Sequence, residues 1–220
     1  MDKLFSEADL DRIRQAVHDA EQHTSGEIVL FIMPESDPYE VAVWRGAALF
    51  AVSALALSVA VFQFYQGWGL AWLYTGWGVA LTALLVGTLG AVLSNYVAPL
   101  KRVLVGGATL DRAVHERALR AFVEEEVFNT RDRTGILLFI SLFERRIEVV
   151  GDAGINSKVT ADEWVDIVTR IREGILQNKV ADGMVAAIAL CGTLLEKRGV
   201  EIKPDDTNEL PDGVRFRRDL

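Results

Sequence analysis

The sequence predicts an α/β chain: an α/β/α sandwich around a small mixed sheet, with a two-helix transmembrane hairpin inserted between the first two strands. Three observations predict it. Residues 47–64 and 77–98 carry no charged side chain. Residues 28–33 and 136–142 are unbroken or nearly unbroken apolar runs of strand length, as expected of strands covered on both faces. Residues 146–150 (RIEVV) alternate, and only residues 143–145 separate them from the run before, which is the spacing of an antiparallel hairpin.

Residues 6–23 read as the first helix. Ser6 with Asp9 makes an N-cap, and Leu10, Ile13, Val17 and Ala20 fall on one face. Thr24-Ser25-Gly26 breaks it, the strand Glu27–Met33 follows, and Pro34 ends that strand. The two charge-free runs come next. At ~1.5 Å per residue they make helices of roughly 27 and 33 Å, enough for a hydrocarbon core of about 30 Å. Trp44 and Tyr96 flank them, and the link between carries Trp68, Trp72 and Tyr74, an interfacial aromatic belt. Arg45, Lys101 and Arg102 lie on one side and the link has no basic residue, so the positive-inside rule puts both termini in the cytoplasm.

Gly106-Gly107 reads as a break before a helix over 110–128, closed by Asn129 and Thr130. Thr160 with Glu163 caps a further helix bearing Trp164, Ile167, Val168 and Ile171; Gly174 and Asn178 are expected to interrupt it. A last helix is expected from Asp182 to Lys197. The division that follows is 1–40 and 101–198 for one split soluble domain, 41–100 for the hairpin and 199–220 for a tail with little to bury. A long crossover joins the first two strands, so they should be parallel.

Composition narrows the function. A net charge of −8, and no Lys/Arg run interleaved with aromatics, argue against nucleic acid as a partner; the closing FRRDL is basic but short. Residues 1–40 have no leading apolar segment of a secretory signal, and Cys191 is the sole cysteine, which suits a reducing compartment. The expected location is the inner membrane of the cell, multi-pass.

Three ordered motifs then carry a resemblance. Thr24-Ser25-Gly26-Glu27 before the first strand, Thr130-Arg131-Asp132-Arg133-Thr134-Gly135 before the second, and Gly151-Asp152-Ala153-Gly154-Ile155 after the third resemble the TPM domain family. They look most like its bacterial membrane-protein branch, in which Trp164 and Asn208-Glu209-Leu210-Pro211 also have counterparts. The hairpin within the domain departs from the family's exported pattern. The resemblance implies an α/β/α fold. It also implies calcium binding and acid-phosphatase activity in some members, and roles in photosystem II repair and membrane-complex assembly. Ca2+ is therefore the one cofactor to consider.

Topology gives the candidate site. With parallel first strands and a returning third, Thr24, Ser25, Glu27, Arg131, Asp132, Arg133 and Asp152 should converge at one end of the sheet, near the helix start at Thr160. The other end, with Arg145 and Arg146, leads toward the membrane, where Lys101 and Arg102 favour anionic lipid. Three readings of the convergence stay open. One is an ion-pair network, Arg133 with Asp152 and Glu27, pinning strand ends. Another is a hard-cation site from Asp152, Asn156, Ser157 and Asp162, against which the nearby arginines count. The third is phosphatase chemistry with Arg131 and Arg133 on phosphoryl oxygens, though no Cys-x5-Arg stretch, paired-Asp motif or His cluster accompanies it. No catalytic residue is assigned. In the spans, Ala47-x-x-x-Ala51 and Gly87-x-x-x-Ala91 allow close helix approach, first of all to each other. The expected work is a non-catalytic scaffold or assembly factor, with membrane lipid, complex subunits or a second copy as partners. The alternative is a membrane-tethered, divalent-cation-dependent acid phosphatase.

Overall fold

A computed structural model describes residues 5–64, 75–177, 179–202 and 209–216. The aromatic link at Trp68, Trp72 and Tyr74, and with it Asn178, Asn208 and most of FRRDL, lies outside the described residues. The chain forms two compact units, one of Met1–Ser36 with Arg112–Leu220, the other of Asp37–Asp111.

The first unit is the sandwich. Its sheet has the order β3 (Arg146–Gly151), β2 (Gly135–Ser141), β1 (Glu27–Met33), β4 (Arg215–Phe216). β1 and β2 pair in parallel, Glu27 opposite Gly135, and β3 returns antiparallel to β2. Both central strands are buried throughout, and side-chain alternation splits them between two cores. Ile28, Leu30, Ile32, Ile136, Leu138 and Ile140 pack against α1 (Glu7–Glu21), α7 (Val165–Leu176) and α8 (Val180–Lys197). Val29, Phe31, Met33, Leu137 and Phe139 pack against Val114, Ala118 and Ala121 of α5 (Gly107–Glu124). Phe31 and Phe139 stack with centroids 5.6 Å apart. The short helix α6 (Ala153–Asn156) follows β3.

Three readings of the sequence differ from this. α5 ends at Glu124, four residues early, because Glu126 turns left-handed (φ 54°) and Val127 N–H reaches back to the Phe122 carbonyl, a Schellman closure that buries Val127. Gly174 does not interrupt α7. A Cβ there would lie 2.7 Å from the Gly183 Cα, so the glycine lets α7 and α8 touch backbone to backbone. The segment after residue 198 is no loose tail where it is described: Val200 and Leu210 are buried, and β4 (Arg215–Phe216) joins the sheet in parallel with Phe31 and Ile32.

The second unit holds α2 (Glu40–Phe64) and α3 (Gly76–Tyr96), 25 and 21 residues long and apolar enough to cross a membrane. Small residues set their contact. Gly87 faces Ala47 and Ala51, and a Cβ on Gly90 would sit 2.6 Å from the Gly46 carbonyl. Ser94 is buried in the seam and returns its hydroxyl to the Gly90 carbonyl at 2.6 Å. The outward surface is apolar: Val52, Leu57, Val59, Phe62, Leu84 and Leu85 are all more than half exposed. After Val97 a separate helix, α4 (Ala98–Val105), begins with Pro99 in its first turn, where a missing N–H goes unnoticed. Arg45 donates to the carbonyls of Leu104 and Val105 at its far end, and Lys101 lies over the Tyr39 ring.

Candidate functional site

The parallel register of β1 and β2 brings the three motifs to one end of the sheet. Glu27 N–H donates to the Thr134 carbonyl, Thr134 Oγ1 to the Ser25 carbonyl at 2.6 Å, and Asp152 N–H to the Gly135 carbonyl. Gly154 N–H donates to the carbonyl of Arg133. A side chain on Gly154 would put its Cβ 2.6 Å from the Asp132 and Arg133 carbonyls, so glycine is what allows the loops to meet. Arg133 holds a left-handed φ of 58° at the centre of the junction.

The charged groups are spent on this joint. Asp152 is buried; its Oδ1 caps α6 by accepting from Ala153 N–H at 2.7 Å. Its Oδ2 lies 2.8 Å from Arg133 Nε, an ion pair by distance, yet the N–H is not aimed along that line and Oδ2 has no aligned donor among the described residues. The Arg133 guanidinium also covers Phe128. Glu27, equally buried, accepts the backbone N–H groups of Glu209 and Leu210, both at 3.2 Å. Arg131 contributes its N–H to Glu209 Oε2 at 2.9 Å and its guanidinium to Asp132 at 3.8 Å. Thr24 Oγ1 donates to the Val200 carbonyl at 2.7 Å.

The proposed cation ligands fare differently. Asn156 donates its amide to the Gly151 carbonyl and Ser157 its hydroxyl to the Gly154 carbonyl. Asp162 is exposed in the 3-10 turn Ala161–Trp164. Among the described residues no three His, Cys, Asp or Glu side chains gather to hold a metal. With Arg133 against Asp152, this donor set does not fit a hard cation. The Thr160 start is itself occupied. Glu163 accepts from both the N–H and the hydroxyl of Thr160, and Arg198 holds its other oxygen, so its carboxyl titrates below the usual range.

Two groups of residues escaped the sequence. At the end of α1, Glu21 accepts the Ile28 N–H at 2.7 Å, while its Oε2 is buried without a donor among the described residues. Burial, with Glu27 and Asp212 nearby, pushes its carboxyl up to about 8. At the opposite end of the sheet, Glu144 is buried with Ser36 and Ser141; it accepts the Ser36 N–H at 2.8 Å and pairs with the Ser141 hydroxyl. Glu144 fixes the β2–β3 turn, in which Arg145 is left-handed. No periodicity marks either acid. Cys191 offers no nucleophile, since burial raises its thiol to about 12.

The fold and the joint define a class: a mixed α/β sandwich with interlocked strand-end loops, carrying two helices long enough to cross a membrane. Residues 102–194 match the family model of the TPM domain, so the resemblance carried by the second and third motifs stands on that stretch. The first motif and the Glu209-Leu210-Pro211 segment lie outside it. In fold the chain is similar to the BA42 protein of the psychrophilic bacterium Bizionia argentinensis, solved by NMR. The identity is 18%, the TM-score 0.59, and the match covers 99% of this chain and 98% of that one. No curated protein matches.

Proposed function

We propose that the chain is a two-pass inner-membrane protein whose TPM-like domain faces the cytoplasm and serves as a non-catalytic scaffold or assembly factor for a membrane complex. The observation that carries it is the use of the site's charges. Glu27, Asp152 and Arg133 are committed to strand ends and a helix cap, an arrangement that stiffens a surface and, among the described residues, leaves no aligned nucleophile and base. Apolar flanks on α2 and α3 add a surface for lipid or for other spans. Arg45, Lys101 and Arg102 near the span ends support a cytoplasmic placement of both termini and a preference for anionic lipid.

The testing experiment is gentle detergent purification from the native membrane, reading particle size and composition. Co-purifying subunits or a defined homo-oligomer support the scaffold. A bare monomer that hydrolyses a phosphoester only with added divalent cation overturns it in favour of the phosphatase. Sidedness is read by cysteines placed at Asp132 and at exposed Asp162; a cytosolic thiol reagent should reach both, and protection of both in folded protein refutes the orientation.

A further inference from the structure

Among the described residues the outer edge of β1 is closed only in part. Toward β2 all seven residues pair. On the other side, the ladder with β4 covers only Phe31 and Ile32 among the described residues. Near the strand's start, the Ile28 N–H is taken by the Glu21 side chain in place of a strand. A sheet edge of this kind is a template for an added strand.

What lies along it is the segment 209–216, ELPDGVRF, and it is gripped residue by residue. Glu27 takes the N–H groups of Glu209 and Leu210. Arg131 N–H donates to the Glu209 carboxylate. The Leu210 side chain is buried in the core formed with Val29 and Val127. His18 lies 3.4 Å from Asp212, and Arg215 donates to the carbonyl and the carboxylate of Glu125, at 2.8 and 2.9 Å. Phe216 meets Phe5 with centroids 6.0 Å apart. Pro211 has no N–H to place, so it sits where the ladder is interrupted.

We propose that this edge is a strand-addition site filled in cis by residues 209–216, and that the same segment of a second copy fills it in trans and links the copies. The trans occupant is a second copy because the grip is matched to this sequence: an amide and a carboxylate for Glu209, an apolar seat for Leu210, an imidazole for Asp212 and a carboxylate for Arg215. Exchange re-forms contacts that already exist, so it needs no new interface. The cis segment competes through its high effective concentration, so exchange appears where copies are crowded or the cis segment is weakened. The inference deepens the assembly reading by naming a self-association surface.

The test uses an acetyl-capped fluorescent peptide of residues 209–216, added to the full chain in detergent micelles and followed by anisotropy. Leu210→Ala and, separately, Arg215→Ala weaken the cis segment; the second leaves the core alone should the first fail to fold. Either folded variant should bind the peptide about tenfold more tightly than the unaltered chain, and a peptide carrying Asp at the Leu210 position should not bind. Failure of both variants to bind, with melting curves retained, overturns the proposal, as does equal binding of the Asp-bearing peptide. Subunits co-purifying from the membrane despite that failure would leave the scaffold reading standing.

Discussion

Glu21 is the sharpest place to test the physical account. Its carboxyl moves from an ordinary 4.5 to about 8 on folding, first because it is buried, then because Glu27 and Asp212 lie close; the Ile28 hydrogen bond opposes the rise. The sign follows. Below about pH 4.5 the group is protonated in both states and contributes no pH dependence. Between 4.5 and 8 the unfolded chain loses the proton while the fold keeps it, so stability falls as pH rises. At about 1.36 kcal/mol per pH unit, the rise from 4.5 to about 8 makes the full loss about 5 kcal/mol. Glu21→Gln keeps an acceptor for Ile28 and stays neutral at every pH. Melting of the full chain in detergent, followed from pH 5 to pH 9, should show the two proteins alike near pH 5. At pH 9 the variant should be the more stable by several kcal/mol. Parallel curves for both proteins would refute the reasoning.

Other outcomes follow from the same geometry. Glu144→Ala leaves the Ser36 N–H and the Ser141 hydroxyl without their acceptor and should cost about 2–3 kcal/mol by denaturant titration. Asp152→Asn keeps the α6 cap through its carbonyl oxygen, so it should cost only about 1 kcal/mol and leave any co-purifying complex intact; loss of a metal-dependent turnover instead would favour the phosphatase. Gly90→Leu should separate α2 from α3, while Gly87→Ala, whose Cβ would lie 3.1 Å from that of Ala51, should be tolerated; crosslinking between cysteines on the two helices distinguishes them. Cys191 should resist alkylation at pH 8 until the fold is opened, because its thiol stays protonated and buried.

Features written in contiguous residues could be read before any fold was known. Unbroken or nearly unbroken apolar runs gave both central strands their place within a residue, since a strand covered on both faces is apolar at nearly every position. Charge-free stretches marked the two helices that are long and apolar enough to cross a membrane, and Ser6 with Asp9 marked the start of α1. The meeting of the three loop motifs was legible because parallel pairing brings the starts of β1 and β2 together and the antiparallel return brings the end of β3 to them.

Tertiary structure alone decided what depends on distant partners. Gly174 is a helix breaker by propensity, but Gly183 across the seam turns it into a contact. The residues after 198 are too polar to announce a strand, and only β1's open edge and the Glu27 carboxylate give them one. Glu21 is an ordinary helical acid until the fold buries it beside two others. A titrating group's character belongs to its surroundings, and those surroundings are assembled from residues up to 191 positions away.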